Sequence, residues 1–499
     1  MRRRLLRNMI PLSLLCISTG CLHHAAPIVD YPPHLDSCLP CPATPFSASG
    51  KPAVPESTKS ATPEVMPIDF NTALRLADQN NPAIALVRER IQQAVAQQQR
   101  AQSLWLPDLE VGPNYTLHDG PIQATEGNIE TVHRSALFAG VGPSLVLNPG
   151  EAYYANLAAR QVTSAYQANA SGVTNDTLLQ VAIAYVDVLQ AQGELEINTQ
   201  TLANAKVLVD LISSFERNGK GVAADTARAR VEASTRERER FELLAQLAAR
   251  QARLAQLLRL SPEVSLKTAE KNIQKWELVT TDQPVQSLIA TALMQRPELE
   301  ENRARIAASL ELWRAAKVQP LLPSLRLGYA VGTYGGGPDD FVGNFGTRSD
   351  LSATLSWQLY GLGMGNQAVI AEKRSEYAQA IFKKDGLEAI VAEQVVSAYQ
   401  QVANRSREFK PAHEAVTAAL ESYRLNEERI RRAPEQGRPI ELLQAIQALA
   451  RARSDELALF TDYNRGQFQL FASLGFTLGC DQQTANVTSS DASILAPVK

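Results

Sequence analysis

Cysteine and histidine are scarce, with five Cys and six His in 499 residues. None of His23, His24, His34, His118, His133 and His413 has zinc-site spacing, and His413-Glu414 lacks the second His of a metalloprotease helix. Neither a P-loop nor a dinucleotide glycine fingerprint is present. No catalytic set, metal site or cofactor site emerges, so the chain does not read as an enzyme. There is no basic excess either: 49 Lys and Arg face 52 Asp and Glu, which argues against nucleic acid as a partner. After residue 20 no run of 18 apolar residues occurs, which excludes a membrane-spanning helix. A chain of this kind crosses a membrane only as β-strands closed into a barrel.

The first twenty residues read as a secretory signal. Arg2, Arg3, Arg4 and Arg7 form a positive start, Met9 to Ile17 a short apolar core, and Ser18-Thr19-Gly20 the small residues before cleavage. Cys21 follows at once, in the arrangement of a bacterial lipoprotein signal whose Cys thiol is acylated, with palmitate among the chains. Ser18 stands where that signal usually has Leu, and cleavage that leaves Cys21 free or paired is the alternative. Leu22 after the Cys fits sorting to the outer membrane. Loss of residues 1–20 leaves 45 basic against 52 acidic side chains, near −7. Residues 21–67 read as a lipid-anchored linker, with ten of the 27 prolines between 22 and 67. Cys38 and Cys41 within it read as a local disulfide. Residues 479–499 read as a disordered tail.

The body is a repeat, 68–278 and 284–478. Ala77-Asp78-Gln79-Asn80-Asn81-Pro82 matches Ala292-Leu293-Met294-Gln295-Arg296-Pro297, and Leu106-Pro107-Asp108-Leu109 matches Leu322-Pro323-Ser324-Leu325. Val181 to Tyr185 matches Val395 to Tyr399, and Gly221 matches Gly437. Each copy predicts helix, strand, loop, strand, long helix, tight turn and helix.

Period-2 alternation marks four strands of about ten residues. Leu325, Leu327, Tyr329, Val331 and Thr333 oppose Arg326, Gly328, Ala330 and Gly332. Leu351, Ala353, Leu355, Trp357 and Leu359 oppose Ser352, Thr354, Ser356, Gln358 and Tyr360. Leu109, Val111 and Tyr115, with Leu137, Ala139, Val141, Leu145 and Leu147, do the same in the first copy. Four strands fall short of the roughly eight in the smallest barrel, so a barrel needs several copies, and three supply twelve strands. Pro113 and Pro143 each delete a ladder hydrogen bond. Segments His118–His133 and Gly335–Thr347 read as loops, with Gly335-Gly336-Gly337 at a loop tip.

Long heptad stripes run through Val181, Val188, Leu195, Leu202 and Val209, and through Val395, Val402, Phe409, Val416, Tyr423 and Ile430. They predict helices near 152–217 and 366–432, each roughly 100 Å long. Pro411 should kink or break the second.

These features, in this order twice over, resemble the TolC-like outer-membrane factor family across roughly residues 68–478. The resemblance implies a mainly α fold with a transmembrane β portion: a homotrimer whose 12-stranded β-barrel continues into an α-helical coiled-coil barrel. It implies an outer-membrane, lipid-anchored, passive conduit of a tripartite efflux or type I secretion system. Its partners would be a periplasmic adaptor (membrane fusion) protein, an inner-membrane transporter and outer-membrane lipid. The turns at 218–225 and 433–441 would form the periplasmic end, with Gly219, Gly221, Asp225 and Gly437 as adaptor-contact tips. Glu441 matches the first acidic ring position of the family's pore gate. Gln444 stands where a second acid is usual, which implies weaker cation preference. Arg438 is either a gate partner or a turn residue, and Glu441 alternatively a helix-capping acid. A lipid-anchored coiled-coil tether across the periplasm is the other reading of the heptads, but it has no use for strands with one apolar and one polar face.

Overall fold

The computed structural model describes residues 65–261, 264–270, 273–432 and 438–479. The proposed signal, Cys21, the linker cysteines, most of the tail and Gly437 lie outside the described residues.

Each half opens with a helix, a proline and a second helix. In the first half these are α1 (Phe70–Asn80) and α2 (Pro82–Ser103), after a short strand β1 (Val65–Ile68). The second half has α5 (Val285–Gln295) and α6 (Pro297–Val318). Where one helix was expected there are two, because the residue before proline is driven out of the helical region. Asn81 and Arg296 both sit at extended ψ of 125°. The Asn81 side chain then accepts from the Ala83 N–H at 2.9 Å and starts the next helix.

The strands are longer than the expected ten residues: β2 (Asp108–Gln123), β3 (Ile129–Leu147), β5 (Ser324–Pro338) and β6 (Gly346–Ser356). They form one antiparallel sheet in the order β2-β3-β5-β6. Most of His118–His133 is therefore strand, with His118 opposite Arg134 and Asp119 opposite His133. Gly335 to Gly337 lie inside β5, opposite Leu137, Ala136 and Ser135. Glycine permits this approach, since a Cβ at Gly336 would collide with the Ser135 carbonyl. Trp357 and Leu359 fall beyond β6, because β5 begins at Ser324, opposite Ser356, and offers no ladder past it. Pro113 occupies the edge strand. Pro143 sits where the β3–β5 ladder is interrupted between Val141 and Ser144, so its missing N–H costs no bond on that side.

The long helices α3 (Pro149–Arg217) and α7 (Met364–Arg432) have 69 residues each, roughly 100 Å. They pair with α4 (Ala223–Leu258) and α8 (Pro439–Ser473). Of the α3 stripe, Val181, Val188 and Leu202, with Ala184, Ala205 and Ile212 beside them, are at most 6% exposed, while Leu195 and Val209 are half-buried. The expected break at Pro411 does not occur, and α7 runs through it. Phe409, two residues earlier, packs on Phe460 and Tyr463 of α8.

A band at mid-helix ties the halves together. The strand β4 (Ser265–Thr268) pairs with β1 in parallel, which sequence periodicity did not reveal in such short runs. The duplication shows in a matched bond: Tyr185 donates to the Ile68 carbonyl at 3.2 Å, and Tyr399 to the Thr281 carbonyl at 3.0 Å. Burial, then the adjoining Glu270 carboxylate, push the Tyr185 hydroxyl well above the usual phenol range. Two buried α8 amides capture the segment joining the repeats. Asn464 accepts from Trp276 N–H at 2.9 Å and donates to the Gln274 carbonyl at 2.8 Å. Gln467 accepts from Leu278 and Val279 N–H and donates to the Val279 carbonyl and Tyr463 hydroxyl.

Gln467→Ala leaves those backbone groups buried without partners, at a cost of about 3 kcal/mol. The denaturant midpoint should fall and proteases should gain access to residues 273–284. An unchanged midpoint with intact protection would refute this role for the amide.

Candidate functional site

Two regions stand apart from the packed body: the open sheet and the helical turns. Register places the odd-numbered residues of all four strands on one face. Val111 pairs with Val141 and that with Val331, Leu145 with Leu327, and Leu327 with Ala353. Among the described residues, Phe341 and Phe345 cover this face only beside Ser135, Gly335 and Gly337 near the hairpin end, and most of it is open. Val111 is 73% exposed, Leu351 79% and Leu355 56%, so a continuous apolar surface stands uncovered. The even-numbered face carries glycine and polar groups, among them Glu110, Asn114, Thr116, Arg326, Ser352 and Thr354. Among the described residues, both outer strands, β2 and β6, have one edge without a strand partner.

At the α3–α4 turn, Gly219 adopts φ +69°. The Lys220 N–H reaches the Phe215 carbonyl at 2.9 Å and the Gly219 N–H the Glu216 carbonyl at 3.0 Å, which is the Schellman closure. A Cβ on Gly221 would stand 2.8 Å from the Glu216 nitrogen, so the chain can turn back closely only with glycine there. Asp225 lies in the first turn of α4 and pairs with Arg228 at 3.0 Å.

The second turn enters α8 through Arg438 and Pro439, a favoured first helical position for proline. Glu441 lies in the first turn of α8, Gln444 is exposed, and Arg438 is exposed. The Glu441 carboxylate pairs with Arg429 of α7 at 3.1 Å. Arg429 was not singled out by the sequence. The signal was there in Arg429, Arg431 and Arg432, a basic trio in a helix's last turn. Arg431 and Arg432 pair with Glu427 and Glu428 at 2.8 and 2.6 Å. These exposed pairs contribute roughly 0–1 kcal/mol each.

The structure brings the two turns together. Asp225 and Arg228 line one small cavity with Pro439, Ile440 and Leu443. Beneath it Leu208, Ile212, Tyr423, Ile430, Leu442 and Ile446 form one apolar cluster. Burial, then the neighbouring Glu427, push the Tyr423 hydroxyl up to about 12. Among the described residues no group of three metal-ligating side chains occurs. No described helix is long and apolar enough to cross a membrane.

A raised phenol pKa favours the folded state below the unfolded value near 10 and is lost as pH rises toward 12. The helical tips should therefore loosen between about pH 10 and 12. Tyr423→Phe should flatten that part of the profile, measured by hydrogen exchange in residues 205–230. An identical profile in the variant would assign the loosening to other groups.

No curated protein sequence matches this chain. Residues 288–476 match the family model described as outer membrane efflux protein. Among solved structures, the CmeC outer membrane channel of Campylobacter jejuni superposes with TM-score 0.70 at 15% identity, over 92% of this chain and 98% of that one. The outer membrane protein VceC of Vibrio cholerae gives 0.67 at 15% identity, over 82% and 96%. The MtrE outer membrane channel of Neisseria gonorrhoeae, in its open state, gives 0.65 at 18% identity, over 83% and 91%. The fold of these channels thus extends over both repeats, and the second repeat is similar to the outer membrane efflux protein family.

Proposed function

We propose that the protein is the outer-membrane channel of a tripartite efflux or type I secretion system, a passive duct with no catalytic chemistry. The observation that carries this reading is the four-stranded sheet with one uncovered apolar face, one glycine-rich polar face and two open edges. Three copies joined edge to edge give twelve strands, with the apolar face toward lipid and the polar face toward a lumen. Strands of 11–19 residues reach or exceed the roughly 9–11 needed to cross a bilayer. The long helix pairs then extend the duct roughly 100 Å into the periplasm. The same sheet argues against the tether reading, since a coiled-coil strut needs no such faces.

Acylation at Cys21 anchors the chain to outer-membrane lipid in this reading. The adaptor meets the tips at Gly219, Gly221, Asp225 and Gly437, and the inner-membrane transporter supplies the energy. Glu441, with Gln444 and Arg438 nearby, lines the closed entrance. The pairing of Glu441 with Arg429 offsets the charge of that acid, in the same direction as glutamine at 444.

Planar-bilayer recordings of the purified protein test the reading. A small, stable conductance is expected, and Glu441→Ala should enlarge it and reduce cation preference, since it leaves Arg429 uncompensated. Absence of conductance from folded, inserted protein would favour the tether instead. Disulfides engineered across the turns at Gly221 and Gly437 should abolish export, and export that continues with the tips locked would remove the tips from gating.

A further inference from the structure

On the even-numbered face of the sheet, one row is almost empty of side chains. Register aligns Gly112, Gly140, Gly332 and Arg348 across β2, β3, β5 and β6. Arg348 is the only residue of that row with a side chain. One row toward the hairpin ends, Phe138 pairs directly with Tyr334. The Arg348 guanidinium carbon lies 4.8 Å from the Tyr334 ring centre. A Cβ on Gly140 would meet the tip of the Phe138 ring at 2.7 Å, so that ring overhangs the empty row. On the other side, Asp350 accepts from Arg348 Nε at 2.7 Å. That contact uses one edge of the guanidinium. The terminal amino groups have no protein partner among the described residues. The Arg348 side chain is 48% exposed.

We propose that Arg348, Tyr334 and Phe138 form a transit contact site for aromatic carboxylates within the barrel. The proposal rests on the channel reading, which makes the even-numbered face the lumen wall. No side chain stands on Gly332 between Arg348 and the Phe138 ring over Gly140, and a planar guest would lie between them. The free fork of the guanidinium matches a carboxylate with two parallel donors. Tyr334 and Phe138 offer ring faces and edges to the guest's aromatic part. Asp350 holds Arg348 in place by its Nε edge and competes for it. Glu110 and Asp350 share the next row, and their charge keeps the guest's carboxylate on the open side of Arg348. The site is hydrated and half exposed, so contact is brief, as passage requires.

Single channels of the full-length protein, exposed to 2-naphthoate, provide the test. Wild type should show brief, concentration-dependent blockages. Arg348→Gln should weaken block about tenfold. Asp350→Asn should strengthen it by freeing the guanidinium, and cyclohexanecarboxylate should block less than naphthoate. Equal block in wild type and R348Q, or an open wild-type channel with no block, overturns the site. Folded, inserted protein with no open current overturns the channel reading, and the site with it. The two failures are distinguished by whether open current exists.

Discussion

The sheet sets a constraint that one copy of the chain does not meet. Among the described residues its four strands end in two edges without strand partners, and most of its apolar face is uncovered. Unpaired backbone groups are costly in lipid, and an apolar face of this extent is unfavourable in water. In the proposed assembly both demands are met at once. The edge strand β6 of the second repeat meets β2 of the next copy's first repeat, and strand direction keeps alternating around the ring. Each repeat supplies one pair of antiparallel strands, so the number per chain is even, as antiparallel closure requires.

The body of the chain is held by a different kind of interaction. Asp187 of α3, only 8% exposed, is contacted by Arg465 of α8 at 2.6 Å and by Arg250 of α4 at 3.1 Å. Arg465 also reaches Asp462, which Arg405 of α7 contacts at 3.2 Å. Four helices from both repeats meet in this charged network. It lies beside the aromatic packing of Phe70, Tyr185, Trp276 and Phe468. Loss of Asp187 leaves Arg250 and Arg465 without the carboxylate they share. The network favours one relative placement of the helix pairs at this level.

Much of this was legible in the sequence. Period-2 and period-7 patterns gave the strands and long helices, because a sheet face and a coiled-coil seam each impose strict spacing. The Tyr185 and Tyr399 match held at the level of hydrogen bonds. What the sequence hid was set by contacts between distant segments. The β1–β4 pair joins four-residue runs some 200 positions apart, too short to carry a pattern. The glycine triplet at 335–337 resembles a loop until Ser135 and Ala136 stand opposite it. Pro411 looks like a breaker, yet α7 runs through it, with Phe409 seated against α8. At the tips, Glu441 was visible from its position after a turn, but Arg429 becomes its partner only once the α7–α8 hairpin has closed.

The Asp187 network has a mechanical consequence. From Asp187 to the end of α3 at Arg217 lie thirty residues, an arm of about 45 Å. With the helix pairs pinned at the network, each arm acts as a lever about that fulcrum. A tilt of about 5° there carries the far end by about 4 Å, on the order of the width of a side chain. Displacements small enough to leave the packing at the fulcrum intact are therefore multiplied at the tips, where the described residues include exposed ion pairs and one apolar cluster.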